Sequence, residues 1–436
     1  MRLRRSCWLV VLLITACTLG LSTPTSSTPT SSTPTCIGTA LAPASNVQAA
    51  INDAPPGTTF CFGPGVYHVS ALIPKSGDVL DGGGRKAVLD GVNSAFYAIY
   101  GDSALPGPSD VTVREFVIRN FRTPLQQGAI QDYNGPGWVI QDNHITNNTA
   151  AGVATGDKVK VLGNLIDHNG QEGFSAHGNG GLYQGNEIAY NNFNLAVDAN
   201  WEAGGGKAWG TDNLTFKSNY VHDNGGPGLW ADTNNINTVF DDNTVSNNRG
   251  PGIYEEISYN ATITNNTVAG NAMPSSPGDG QGQGWGWDAG IQLRASGGLS
   301  SSSPLIISRN TVTDNFNGIS LLQTPSPNAC PNKANHEGLY GPCRIQNVIV
   351  ENNDISMTQG ASGEFQDGNG TDNSIFVSWN NHWVNNHYCV TSATHPDDGY
   401  MDGGWFAWMN RNLSWLQWQS YGLDQTGTFG VGGTCR

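Results

Sequence analysis

Residues 138–173 read WVIQDNHITNNTAAGVATGDKVKVLGNLIDHNGQEG, and the phrase stated twice in that stretch decides the fold. An Asn is followed two residues on by Ile or Val and five residues on by a second Asn: Asn143 and Asn148 around Ile145, then Asn164 and Asn169 around Ile166. Working outward, the phrase returns as Asn186/Asn191, Asn219/Asn224, Asn243/Asn248, Asn266/Asn271 and Asn310/Asn315. The residues five and three places before the first Asn tend to be apolar, as Trp138/Ile140 and Val159/Val161 are. Self-similarity with a period in the low twenties marks a solenoid. The apolar residues alternate with period two, so each coil is built of short strands. An Asn at each corner tolerates left-handed dihedrals, and stacked side-chain amides can bond to one another along the axis. The reading is all-β: a parallel β-helix.

Composition agrees. Among 436 residues only 13% are charged and 57 are glycine, which suits a turn-rich β protein. The net charge of −15 argues against nucleic acid as a partner, and against unaided attraction of polyanions. Arg2, Arg4 and Arg5 precede an apolar run, residues 7–16, that is too short to span a bilayer and reads as an export signal. Ile14-Thr15-Ala16-Cys17 resembles a bacterial lipobox, which implies lipidation at Cys17 and an extracellular protein held at the cell surface; a plain signal peptide would instead release it. Residues 18–35 hold a Ser-Ser-Thr-Pro-Thr repeat that cannot form a core and reads as a linker stiffened by Pro24, Pro29 and Pro34. Six cysteines follow, an even number that suggests disulfides in an exported chain; spacing favours Cys36–Cys61, Cys330–Cys343 and Cys389–Cys435 among fifteen pairings.

Ser45-Asn46-Val47-Gln48 reads as a capping box that starts a short helix with Val47, Ile51 and Ala54 on one face, stopped by Pro55-Pro56. Next come PPGTTFCFGPGVYHV at 55–69 and LDGGG at 80–84. A capping helix followed by these two segments resembles the start of right-handed parallel β-helix proteins of the pectate-lyase-like superfamily. The resemblance covers roughly residues 36–436. It implies a right-handed parallel β-helix over 36–370, covered by a short N-terminal helix, and a Trp-rich closing segment over 371–436. That segment holds Trp379, Trp383, Trp405, Trp408, Trp415 and Trp418, with Asn412 capping a helix over 413–421. The fold hosts lyases, hydrolases, epimerases and binding proteins, so the resemblance does not choose a reaction.

Each coil carries a further strand after the second Asn: GAIQD from Gly128, GVATG from Gly152, GFSAH from Gly173, NLAVD from Asn194, GLWAD from Gly228, GIYEE from Gly252 and GIQLR from Gly290. Alternation turns the third and fifth residues of each outward. The fifth places then line up Asp132, His177, Asp198, Asp232, Glu256 and Arg294, with Trp230 and Tyr254 beside them at the third. Stacked carboxylates about 4.8 Å apart raise one another's pKa or recruit a cation. Insertions at 199–210, 273–288 and 324–344 adjoin this strip, and long loops on one side of a solenoid mark its working face. His168 and His222 fall in corner turns and read as surface residues.

Three functions fit the strip, all with polysaccharide as partner and the membrane met only through Cys17; the chain is expected to act as a monomer. In the first, the protein is a lyase acting on an acidic glycan. Asp198, Asp232 and Glu256 hold Ca2+, and Lys207 takes the proton, as lysine does in β-helix lyases that the chain resembles. Surrounding carboxylates oppose the lowered pKa that Lys207 then needs. In the second, two carboxylates act as the acid/base pair of a glycoside hydrolase, Asp232 with a neighbour or Asp198 with Glu256. In the third, the protein binds glycans at the cell surface without chemistry. His177 completes the catalytic candidates Lys207, Asp232 and Glu256, while Trp201, Trp230, Tyr254 and Arg294 are the substrate-binding ones.

Overall fold

The asparagine rows organise the chain. In a computed structural model, which describes residues 36–273, 285–324, 330, 337–366, 373–395, 403–432 and 435, their amides stack into two ladders. Asn164 shows the pattern. Its backbone N–H and one side-chain N–H donate to Asn186 Oδ1 at 2.9 and 3.0 Å, and the side chain also donates to the Ile140 carbonyl at 2.8 Å. Its own Oδ1 accepts the matching pair from Asn143. The first ladder runs through Asn143, Asn164, Asn186, Asn219, Asn243, Asn266, Asn310, Asn353 and Asn386 and ends on the Asp424 carboxylate. The second runs from Asn148 through Asn169, Asn191, Asn224, Asn248 and Asn271 to Asn315. No ladder Asn is more than 2% exposed. The left-handed corner residue is not the ladder Asn itself but the one before it, such as Asp142 or Asn147, because the ladder amide has to point inward to reach the next coil.

Among the described residues, the strands form three parallel sheets of 13, 13 and 12 strands. The second sheet lies between the ladders and sets Ile145, Ile166, Ile188, Val221, Val245 and Val268 in one buried row. The interior is filled by such rows and by packed rings, Phe174 tilted against Phe216 and Phe216 stacked on Phe240, each pair at 5.3 Å.

The ends differ from expectation in detail. The N-terminal helix Val47–Asp53 is capped by Asn46, whose side chain accepts from Ala49 N–H, while Ser45 turns back to Ala42. At the other end Asn412 lies in the strand Arg411–Leu413, and Ser414 with Gln417 forms the capping box of the helix Trp415–Ser420. The solenoid also runs past residue 370: His382–Val384 and His387–Val390 add strands to the first and second sheets. Closure comes from Phe406–Trp408 pairing antiparallel with Arg411–Leu413, over rings of Trp383, Trp418 and Phe406. The three cysteine pairs join as their spacing favours. The export signal, Cys17 and the linker lie outside the described residues.

Three carboxyl groups sit in the inward-facing row of the third sheet, which aligns Asp132, Thr155, Ala176, Ala208, Ala231, Glu255 and Leu293 and, two strands on, Glu364. Asp132 therefore leaves the outward strip. Gly128 pairs with Ala151 rather than Gly152, so the count along its strand shifts by one and its side chain turns inward. Burial pushes Asp132 up to about 8 against the hydrogen bond from Gly135, and pushes Glu364 up to about 8 against those from Asn381 and Trp383. Glu255 is raised for the same reason.

Two outcomes follow. Asn219→Ala removes a rung from the middle of a ladder and orphans the amide of Asn186. It should lower unfolding free energy by about 2–4 kcal/mol, at roughly 1–3 kcal/mol for each buried polar group left unpaired; chemical denaturation reads this. The folded protein also holds protons on Asp132 and Glu364 that the unfolded chain releases near pH 4. The unfolded state thus binds fewer protons between about pH 4 and 8, and stability falls as pH rises through that window. Melting temperature should drop between pH 5.5 and 8.5, with a shallower drop in Glu364→Gln; a rise over that range contradicts the assignment.

Candidate active site

The third sheet sets the strand Gly204–Asp212, rather than residues 194–198, between Glu172–Asn179 and Leu229–Asp232. A column of glycines explains the choice. Gly173, Gly205 and Gly228 stack so closely that a Cβ on Gly205 would lie 2.2 Å from the Gly228 carbonyl oxygen, and one on Gly173 would lie 2.5 Å from that of Gly205. Residues 204–206 are all glycine, whereas 194–198 contain none. Gly206 serves the core as well, since a Cβ there would lie 2.3 Å from the Phe174 ring. The insertion therefore comes before the strand. Asp198 stands in an exposed corner loop, accepting from Asn200 N–H at 2.9 Å, and is not part of the carboxylate row.

Lys207 takes the outward place between Ser175 and Trp230. Its ammonium donates to Asp232 Oδ2 at 2.8 Å and to the Trp201 carbonyl at 3.0 Å. Glu202 is 3.8 Å away, and the Trp230 ring centroid 3.9 Å. Burial works to lower the Lys207 pKa, but the charges of Asp232 and Glu202 outweigh it and raise the value. These contacts favour the protonated form of Lys207 and oppose its expected role as a base. Asp232 is paired in register with Glu256, and Glu256 with Arg294. Arg294 forms an ion pair with Glu256 and lies over the Trp287 ring. Burial, then the Asp232 charge, pushes Glu256 up to about 7.

The expected sugar platforms also change. Trp230 is only 3% exposed; it donates to Glu256 Oε2 at 3.1 Å and stacks on the buried Tyr254 at 5.3 Å. Both rings form the floor under the charges. The exposed rings are Trp201, at 46%, and Trp209, at 40%. His177 stacks on Trp209 at 4.0 Å, and its Nδ1 lies 2.9 Å from the Trp209 carbonyl. A carbonyl only accepts, so Nδ1 carries the hydrogen and a neutral His177 keeps its lone pair on Nε2.

Beside this cluster opens a cavity of about 520 Å³ lined by Gln126, Tyr133, Glu202, Lys207, Trp209 and Asp232, among others. Four of these were not candidate site residues in the sequence. Glu202 and Trp209 lie in the insertion that pointed to the site, but nothing separated them from their neighbours there. Gln126 donates to Glu202 Oε2 at 2.7 Å from a coil 76 residues away, a contact with no local signal. Tyr133, which bonds to Ser175 Oγ at 3.0 Å, had none either.

The carboxylates as placed do not fit the expected calcium site. Asp198 is elsewhere, Asp232 is engaged by Lys207, and Glu256 by Arg294. Among the described residues, no group of three or more His, Cys, Asp or Glu is placed to hold a metal ion.

Comparison with known proteins bears on the fold. The family model described as "Right handed beta helix region" matches residues 79–199 and 128–300, together more than half of the chain. No curated protein matches by sequence. Among solved structures, the chain is similar to the A-module of the Azotobacter vinelandii mannuronan C-5 epimerase AlgE6, with 17% identity and a TM-score of 0.53 over 88% of this chain and 93% of that one. The AlgE4 A-module of the same organism gives 16% and 0.50 over 80% and 93%. XylC in complex with xylose gives 10% and 0.54 over 88% and 82%. At these identities the likeness is one of fold. It agrees with the repeats, ladders and three-sheet topology: the chain belongs to the right-handed parallel β-helix family.

Proposed function

We propose that this protein acts outside the cell on a polysaccharide, hydrolysing an uncharged chain laid across the third sheet at the Lys207 cluster. One observation carries the reading. Two carboxylates, Glu202 and Asp232, flank a single ammonium in an open cavity walled by Tyr133 and Trp209. Paired carboxylates are the working groups of glycoside hydrolysis, set roughly 5–9.5 Å apart, and an exposed indole suits the apolar face of a sugar. Asp232, with Oδ2 on Lys207 and Oδ1 on the Thr233 hydroxyl, is the held acceptor that takes a proton from the attacking water or meets the anomeric carbon. Glu202, farther from the ammonium, takes up a proton from solvent and passes it to the leaving oxygen. Lys207 positions both. That the neighbours include saccharide-active proteins supports the coarser part of the reading.

Elimination from an acidic glycan would need a cation free to meet the uronate carboxylate. Lys207 and Arg294 are each engaged by carboxylates of the protein, and Glu202 adds negative charge to the cavity. These contacts weigh against the lyase expectation. Three disulfides place the chain in an oxidising compartment. The lipobox adds the proposal of a lipid anchor at Cys17, and Cys17→Ser should then move the protein from the membrane fraction to the medium; a wild-type protein already in the medium overturns the anchor.

The full chain should be assayed on xylan, β-glucan, pectate and alginate for reducing ends and for ultraviolet absorbance of new C=C bonds, with and without EDTA. Reducing ends should come from a neutral polymer, without C=C absorbance and unaffected by EDTA. Asp232→Asn and Glu202→Gln should each lower kcat by about 10²–10⁴-fold, the usual contribution of a general acid or base. C=C absorbance on an acidic polymer that survives both substitutions favours elimination, and binding without turnover favours the non-catalytic reading.

A further inference from the structure

A second set of rings stands away from the cleft, at the corner between the second and third sheets. Successive coils place a left-handed residue there: Asn147 (φ 55°), His168 (φ 51°), Tyr190 (φ 54°), Asp223 (φ 52°) and Asn247 (φ 55°). Asn, Asp and His suit that backbone, whereas the bulky phenol of Tyr190 sits in it under strain. Strain kept at a position is a reason to look there for a function. The His168 and Tyr190 rings stack at 5.1 Å, Phe193 lies 5.7 Å from His168, and Tyr190 meets His222 at 5.6 Å. Tyr220 stacks on His222 at 4.0 Å. Carboxylates hold the imidazoles, Asp167 at 3.4 Å from His168 and Asp223 at 2.7 Å from His222. His222 is thus a buried strand residue that supports the strip, not the surface residue expected. Despite these contacts Tyr190, Phe193 and Tyr220 remain 43%, 54% and 44% exposed. The rings are ordered by their neighbours yet open to solvent, over three coils or roughly 10 Å.

We propose that this strip is a second saccharide-binding site, a platform for an uncharged, hydroxyl-rich polymer; the proposal rests on the polysaccharide reading above. Fixed aromatic faces edged with carboxylate acceptors match the apolar faces and hydroxyl edges of sugar rings. The same carboxylates repel a polyanion. One loop joins the strip to the cleft: residues 192–203 begin beside it with Phe193 and end at Trp201 and Glu202, which face Lys207.

The test is affinity electrophoresis of the full chain in gels containing xylan or alginate. Tyr190→Asn restores the corner residue used at 147 and 247, so the Tyr190→Asn, Phe193→Ser double variant should fold and melt no lower than the wild type. Wild type and Asp232→Asn should both be retarded by xylan. The double variant should lose at least about ten-fold in apparent affinity, as removal of exposed aromatic anchors does. Equal retardation of the double variant and the wild type overturns the site, and so does a wild type retarded only by alginate or by neither polymer. Failure of the cleft reading shows differently, as absent turnover with retardation by xylan intact.

Discussion

Everything in this molecule depends on the side-chain amide rows. Each buried Asn presents two N–H donors and an oxygen that accepts twice, and its neighbours in the row are the partners that satisfy them. A coil one residue out of register would strand those groups in the core. The consequence is visible in where the chain varies. The five-residue spacing between paired Asn residues is kept in every coil from Asn143/Asn148 to Asn310/Asn315. Insertions come after the second Asn or beyond the third sheet, as at 192–203 and 324–344. Length varies in those segments because the ladders do not bind them.

The cleft shows what such freedom allows. The insertion after Asn191 delivers Glu202 and the Trp201 carbonyl to an ammonium that the solenoid itself presents from the next strand. Lys207 is nearly buried, yet its charge is kept because Asp232 and Glu202 outweigh the cost of leaving water. Arg294 pairs with Glu256 one row over, but there burial and the Asp232 charge win and Glu256 is pushed up to about 7. These charges lie on a floor of Trp230 and Tyr254, with two carboxylates and one ammonium lining the cavity. That balance, rather than the fold, bears on which polymer can lie there.

Much of the architecture could be read from local patterns, because a solenoid repeats its constraints. Asn at fixed spacing, apolar residues at every second place and paired cysteines each recur or stand close in the chain. The errors have one cause. Reading Asp198 as a strand residue and Asp132 as outward-facing both assumed that every coil starts its third strand at the same count from the ladder. A ten-residue insertion and a one-place shift break that count, and only the glycine column shows where the strand resumes. Trp230 and Tyr254 were placed on the correct face, but face alone does not say whether a ring is covered. Stacking against each other and bonding to Glu256 covers them.

The sequence by itself determined the parallel β-helix and favoured its disulfide pairs, since these follow from periodicity and from neighbours close in the chain. Only the tertiary structure decided which charges meet. Gln126 reaches Glu202 and Arg294 reaches Glu256 across 76 and 38 residues. Whether Lys207 is a base or a fixed cation depends on the carboxylates brought within 4 Å of it and on the water excluded there, and both are properties of the packed coils rather than of any stretch of chain.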